Sequence, residues 1–444
     1  MSVSAIILAA GIGERFGGEK QFARLNGKIV TQYSIDVFRA CSSIDKIIVV
    51  ANDVNKANQV LKDVDKVVAG GFRRQDSSYN GLLACDSNTE YVLIHDASRP
   101  MITKEMIERL IDTLNSGVEG VALGWPAVDT ISLVDKKGSI ISIPDRRFVR
   151  RHQTPQGFDY KKILKAYESV PGNITFTDDV SVFKYAGYEC RIIPGDEINI
   201  KITTPVDLFI AERISQWRSM KVKIPRLSGK RVLVFGGTGG IGKEVVKLLH
   251  QNGAEVVSLG KKDADLRVEK LPDWMYAVSW DTIIHCAGVL RKNTVTLDSL
   301  KDFDEMMTIN ARSLILICDL ATKTMKEGGS IVVIGSSSAW KGRKGYTYYS
   351  ASKAALNNLV EGLSEELAPY RIRINCVNPS RTRTASIREF YPNDPDDSFL
   401  DPAYVAKVVV SLCFTNETGQ IINIRKNMSN FMEEYVNSST KGSN

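Results

Sequence analysis

Short β-branched runs alternate with amphipathic stretches from residue 4 to about residue 217: AIILAA, QYSIDVFRA, KIIVVA, NKANQVLKDV, KVVAG, SSYNGLLAC, YVLIHDA and KEMIERLIDTL. Runs this short read as strands, and the helical periodicity between them predicts a mostly parallel sheet with helices on both faces. The alternation breaks at DTISLVDKKGSIISIPD, where two strand-like runs flank Lys137 and Gly138. That turn signal predicts a hairpin protruding as a β-arm. A second series follows MKVKIPRLSG (220–229): RVLVFGG, IGKEVVKLLHQNG, EVVSLG, DTIIHCAG, a long helix over 306–325, SIVVIGS, a helix over 349–367, RINCVNPS, YVAKVVVSLCF and GQIINI. The expected fold class is therefore α/β with two doubly wound domains, at 1–218 and 230–424. A linker at 219–229 joins them, and a polar tail occupies 425–444.

The chain has 444 residues, of which 43% are hydrophobic and 25% charged. That length is about three times a usual domain, which agrees with two cores. No apolar run approaches the roughly eighteen residues of a membrane span, and MSVSAIILAAG lacks a basic leader region, so a cytoplasmic location is expected. Seven cysteines without a CxxC pair, and only four histidines, argue against a zinc site or a disulfide framework. The net charge of +7 is spread without a basic run, which points to small anionic substrates rather than nucleic acid.

Directly after the first strand, AAGIGERFGGEKQ sets Arg15 and Lys20 in a glycine-rich loop. Backbone N–H groups and cations at a strand end can cradle phosphates, although such a loop alone is equally a solvated turn. HDASRP follows the apolar YVLI, so Asp96 emerges at the carboxyl edge of the sheet, where ligands of open α/β sheets bind. Asp96 is a candidate Mg²⁺ ligand there, or a turn cap paired with Arg99.

With GGFRRQDSSYNGL, DT at 129–130, DR at 145–146, TPQGF and NIKITTPVDL, these motifs resemble the cytidylyltransferases of the isoprenoid and ribitol-phosphate type, over residues 3–213. The resemblance implies a nucleotidyltransferase Rossmann-like domain that binds CTP and Mg²⁺ and transfers CMP to an alditol phosphate. It implies catalytic roles for Arg15, Lys20 and Lys201, and CTP binding by Ala10, Gly11, Gly13, Gly71, Arg74, Ser77 and Asp96. Arg99, Thr130, Arg146 and Thr154 would hold the acceptor's phosphate, Thr130 and Arg146 reaching over from a second subunit, so a homodimer or higher homo-oligomer is implied. Asp96 and Asp196 are the implied metal ligands, with Glu197 beside Asp196 as the other choice. The loop from Arg15 to Lys20 is shorter than in many relatives and lacks their Pro before Lys20.

In the second half, GGTGGIG (236–242) ends a strand and opens a helix, the context that a dinucleotide fingerprint requires. Tyr349 and Lys353 stand four apart and share one helix face, with Ser336 at the end of SIVVIG. With HCAG, Asn310 and NPS (378–380), they resemble the short-chain dehydrogenase/reductase family over residues 230–424. The resemblance implies a Rossmann domain in which Tyr349 is the general acid, Lys353 tunes it, Ser336 orients a carbonyl and Asn310 supports a water relay to Lys353. A free phenol titrates near ~10, and a neighbouring ammonium would lower that value. Gly236, Gly240, Ile241, Gly242, Ala287 and Gly288 would bind the dinucleotide. Lys261 and Lys262, with no carboxylate at Gly260, favour NADPH. Asp265 and Leu266 match the family's adenine-contacting pair. The short spacing after Lys262 predicts a trimmed adenine side.

Arg291, Lys292, Arg343, Lys344, Arg381 and Arg383 lie in segments that the family folds near the substrate mouth; Tyr346 and Tyr348 read as packing or pocket wall. A reductase fused to a cytidylyltransferase suggests that one makes the other's substrate. The combination resembles bifunctional enzymes that make CDP-ribitol for capsule polymers, from D-ribulose 5-phosphate, NADPH and CTP. Another pentitol phosphate, such as arabinitol or xylitol phosphate, and a non-catalytic NADP-binding second half are the alternatives.

Overall fold

The computed structural model describes residues 2–219, 224–292 and 296–425, and the chain divides into two compact units, Met1–Ser215 and Gln216–Asn444. Part of the expected linker, 220–223, and nearly all of the expected tail, 426–444, lie outside the described residues. Among the described residues no helix is long and apolar enough to cross a membrane.

The first unit is built on a seven-stranded sheet in the order Cys190–Pro194, Gly120–Pro126, Arg150–Asp159, Tyr91–Asp96, Val3–Ala9, Lys46–Ala51, Lys66–Ala69. Every pairing is parallel except the two made by Arg150–Asp159. The strands are apolar on both faces because both are covered. Val3, Ala5 and Ile7 pack with Ile35, Phe38, Ile107 and Leu110 on one side, while Ile6, Ile48 and Val50 pack with Leu82, Ile163 and Phe183 on the other. Each such buried aliphatic side chain contributes about 1.5–3 kcal/mol.

The expected hairpin is present: Leu133–Val134 pairs antiparallel with Ile140–Ser142. Gly138 closes its turn at φ +86, and the Asp135 carboxylate accepts from the Lys137 and Ser139 N–H groups. Its apolar side chains face solvent, with Ile140 63% and Ile141 68% exposed.

The second unit carries a six-stranded, wholly parallel sheet ordered Glu255–Leu259, Arg231–Phe235, Trp280–His285, Met325–Ile334, Arg373–Pro379, Ile421–Ile424. Glu255–Leu259 is its edge strand, so the adenine side is indeed trimmed. Leu233 and Phe235 meet Leu314, Ile317, Leu356 and Val360 on one face; Val232 and Val234 meet Val245, Leu249, Val405 and Val409 on the other. The helix expected at 306–325 begins earlier, as Leu300–Met307, widens into a π-turn at Thr308–Arg312 and continues as Ser313–Thr324.

Candidate active sites

In the first unit, Val3–Ala9 and Tyr91–Asp96 run side by side, so the glycine loop and Asp96 leave the same sheet edge. A Cβ at Gly13 would run into the Gly18 carbonyl, and its φ of +70 suits glycine. Asp96 is buried, a position that opposes ionisation. Arg74, Lys201 and Arg99 nevertheless hold its carboxyl well below the usual carboxylate range. Arg74 Nη2 lies 3.0 Å from Asp96 Oδ1 and Lys201 Nζ 2.6 Å from Asp96 Oδ2.

Arg74 also reaches Asp179 Oδ2 at 2.9 Å, and the Tyr167 hydroxyl donates to Asp179 Oδ1 at 2.6 Å. Asp179 and Tyr167 escaped the sequence reading, although TDD at 177–179 is the signal that could have found the acid. Burial first, then Lys201 and Arg15, push the Lys20 ammonium below its ordinary pKa. Lys201 and Arg15 thus repel Lys20, and a polyanion would relieve that repulsion.

The Gly71 N–H donates to Ser77 Oγ at 3.0 Å, and a Cβ on the adjoining Gly70 would strike Ala10, so these three expected nucleotide residues are neighbours. Thr154 departs from the expected role. It is 4% exposed; its Oγ1 accepts from the Asp96 N–H at 3.0 Å and lies 3.1 Å from His95 Nδ1. The hydroxyl braces Asp96 because the strand turns it inward. Arg99 is anchored on the Asn199 and His152 carbonyls. Asp196 Oδ1 accepts from the Ile198 N–H at 3.0 Å. Thr130 and Arg146 sit by the exposed arm, Arg146 donating to the Val128 carbonyl at 3.3 Å. No hydrogen bond or ion pair among the described residues joins either to the Lys20, Asp96 and Lys201 group.

Asp96 suits Mg²⁺: it is an ionised carboxylate at a strand end among cations, and magnesium commonly takes one or two protein carboxylates plus substrate phosphates. The described residues hold no cluster of three or more potential ligands.

The second unit encloses a cavity of about 440 Å³ lined by Gly236, Gly240, Ile241, Gly242, Ala287 and Gly288, and also by Ser336, Tyr349 and Lys353. Gly236 has φ +75, and a Cβ there would fall 2.5 Å from the Ala287 nitrogen, so the chain can only pass as glycine. The glycines of the 236–242 loop and the Ser, Tyr and Lys side chains therefore share one space, which fits a dinucleotide.

Lys353 is 3% exposed, and Nζ donates to the Ile334 carbonyl at 2.8 Å. Burial brings its pKa down to about 8. Tyr349 corrects the sequence expectation: burial raises its pKa, and the group pulling it back is Ser336 rather than Lys353, whose Nζ stands 6.0 Å from the ring centroid. Asn378, named without a role from sequence, accepts the Ser336 N–H at 2.8 Å and so positions that residue.

Asn310 is fully buried in the π-turn. Its amide accepts from the Val289 N–H and donates to the Val289 carbonyl and Ser352 Oγ. It braces the Gly288 loop.

Lys261 and Lys262 are exposed past the edge strand. Asp265 pairs with Arg267 at 2.6 Å, and Leu266 is 5% exposed within the core. Asp263, missed from sequence, caps the turn by accepting from the Gly260 N–H at 2.8 Å.

Residues 3–216 match the family model for 2-C-methyl-D-erythritol 4-phosphate cytidylyltransferase. Residues 268–423 match one described as enoyl-(acyl carrier protein) reductase. The bifunctional ribulose 5-phosphate reductase/CDP-ribitol pyrophosphorylase of Haemophilus influenzae is 33% identical over 450 residues, spanning 94% of this chain and 95% of that protein. A 2-C-methyl-D-erythritol 4-phosphate cytidylyltransferase of Clostridium botulinum (strain 657 / Type Ba4) is 39% identical over 223 residues, 48% of this chain and 96% of that protein. The crystal structure of 4-diphosphocytidyl-2C-methyl-D-erythritol synthase from Anaerococcus prevotii matches at 30% identity and a TM-score of 0.44, over 48% of this chain and 96% of that one.

Proposed function

The chain belongs to the family of bifunctional ribulose 5-phosphate reductase/CDP-ribitol pyrophosphorylases, and we propose that it makes CDP-ribitol by two consecutive reactions. The second unit reduces D-ribulose 5-phosphate to D-ribitol 5-phosphate, and the first transfers CMP from CTP to that product with release of pyrophosphate. The observation that carries this reading is the presence, on one chain, of a cluster of cations around Asp96 and a cavity holding Ser336, Tyr349 and Lys353.

For the reduction, NADPH, which the 236–242 loop would hold, would supply the hydride for the ketose carbonyl carbon. Tyr349 gives its proton to the carbonyl oxygen, Ser336 orients that oxygen, and the Lys353 ammonium offsets the phenolate left on Tyr349. Lys261 and Lys262 support NADPH through its 2′-phosphate.

For the transfer, an acceptor phosphate oxygen attacks the α-phosphorus in line as the bond to pyrophosphate breaks. The barrier is chiefly charge, and Arg15, Lys20 and Lys201 meet it. Mg²⁺ held by Asp96 and Asp196 would offset triphosphate charge. Thr130 and Arg146 complete the acceptor site from a partner's arm in a homodimer, which the exposed arm residues support; a monomer mass in solution scattering would count against it. A cytoplasmic location and use of the product for capsule polymers belong to the same reading.

The test is mass-spectrometric product analysis with CTP, Mg²⁺ and a panel of pentulose 5-phosphates, with and without NADPH. CDP-ribitol forming from D-ribulose 5-phosphate only when NADPH is present is the expected result. A different pentulose as best substrate would replace ribitol with its pentitol. Transfer to preformed ribitol 5-phosphate without any ketose reduction would refute the reductase half.

A further inference from the structure

Three arginines line the reductase cavity, Arg291, Arg343 and Arg381, and they are not equivalent. Arg291 is paired with Glu305 at 3.1 Å. Arg381 is paired with Asp394 and stacked on Tyr391, 4.8 Å from the ring centroid. Arg343 is exposed, and its side chain makes no ion pair and no hydrogen bond among the described residues, so its donors are open to a ligand.

Three residues further along, Tyr346 lines the same cavity, and its hydroxyl is buried with the Tyr391 hydroxyl beside it. A ligand oxygen in the cavity would give that hydroxyl a stronger acceptor than a second phenol. Arg381 and Arg343 are the cations that act on this phenol. Burial first, and Tyr391 after it, push its pKa up to about 12, so it is a proton donor rather than an anion at neutral pH. Lys292 lies 6.0 Å from the centre of its ring. Glu389 is the single acidic residue in the lining, against those three arginines and Lys353.

We propose that Arg343 and Tyr346 clamp the phosphate of the ketose substrate, with Arg381 as a stacked flanking cation, and so set the reductase's choice of phosphorylated over free ketoses. The inference rests on the reductase reading above and adds the residues that would enforce it. A guanidinium and a neutral phenol beside each other present several donors and no acceptor, which suits a phosphate dianion and gives a free hydroxymethyl group little. The segment joins Ser336 to Tyr349 in sequence, so a phosphate held there leaves the rest of a pentulose within the cavity that holds those two groups.

The test follows NADPH oxidation by the full-length protein with D-ribulose 5-phosphate and with D-ribulose. Arg343→Ala is expected to raise KM for the phosphorylated ketose about ten- to hundredfold with kcat little changed. KM for NADPH and the rate with free D-ribulose should stay the same. Tyr346→Phe gives a smaller rise of the same kind, and Arg343→Lys restores part of the loss. Inorganic phosphate, expected to compete with the phosphorylated ketose in the wild type, should lose that competition in Arg343→Ala.

An unchanged KM for the phosphorylated ketose overturns the clamp, as does an equal loss on both ketoses. A raised KM for NADPH alone would place Arg343 at the cofactor and do the same. Wild-type protein that oxidises NADPH with neither ketose would overturn the reductase reading, and the clamp with it. An active wild type with an indifferent Arg343→Ala removes the clamp only.

Discussion

Lys201 Nζ lies 2.6 Å from Asp96 Oδ2, although 105 residues separate the two in sequence. The contact places a partly exposed cation on a buried acid. Asp96 is braced by Thr154 and Arg74, whereas the Lys201 side chain is 38% exposed and can exchange its partner for a phosphate oxygen. Lys20, depressed by the same lysine, gains from that exchange as well.

Lys201→Ala should therefore lower cytidylyl transfer about 10²–10³-fold, the scale of losing one charge-stabilising group. NADPH-dependent reduction should be unchanged. Pyrophosphate release with preformed ribitol 5-phosphate measures the first and NADPH absorbance the second; a loss below threefold in transfer would remove Lys201 from the reaction.

Periodicity carried both sheets, the hairpin at Lys137 and Gly138, and the Tyr349 and Lys353 pair, because those features are local. What escaped is what long-range packing decides. Arg74 reads as a nucleotide residue from its neighbours, but its second partner, Asp179, is 105 residues away. Insertion of Arg150–Asp159 between Gly120–Pro126 and Tyr91–Asp96 turns Thr154 inward. Asn310 sits in a π-turn that no 3.6-residue pattern announces, and Leu266 goes to the core because its dipeptide carries an aliphatic side chain beside Leu271 and Met275.

Tyr349→Phe removes the proton donor and keeps the ring that packs in the cavity wall. Reduction should fall at least about 10²-fold, the usual contribution of a general acid. Transfer of CMP to ribitol 5-phosphate should stay at the wild-type rate, because the reaction belongs to the other unit. Persistent NADPH consumption with the ketose would refute the assignment.

Lys353 has a pKa of about 8, so it is charged below that pH and neutral above it. If the cation is the working form, kcat/KM for NADPH, which reports free-enzyme ionisation, should fall as pH rises through about 8. Cytidylyl transfer should show no such limb. A profile flat to pH 9.5 would mean that charge on Lys353 is not required.

Under the proposed NADPH reading Lys261 and Lys262 bind the 2′-phosphate, and the nearby carboxylate of Asp263 is occupied by the Gly260 N–H. Lys261→Glu with Lys262→Glu should cut kcat/KM for NADPH about tenfold or more and leave NADH almost untouched. Equal losses with both cofactors would point to folding rather than recognition.

His285 and His95 are both fully buried, and burial brings their pKa values down to about 3 and about 4. In the unfolded chain each takes up a proton near pH ~6.5. Between that pH and the folded values the unfolded state binds more protons, so stability rises with pH and is lost on acidification. Each unit holds one of these histidines, and two calorimetric transitions should therefore move down as pH falls from about 6.5 toward 4. His285→Leu removes one titration while Ser313 keeps its bond to the Ile309 carbonyl, so one transition alone should lose its acid sensitivity over that range. If both transitions still track the wild type, some other group governs acid unfolding of the reductase unit.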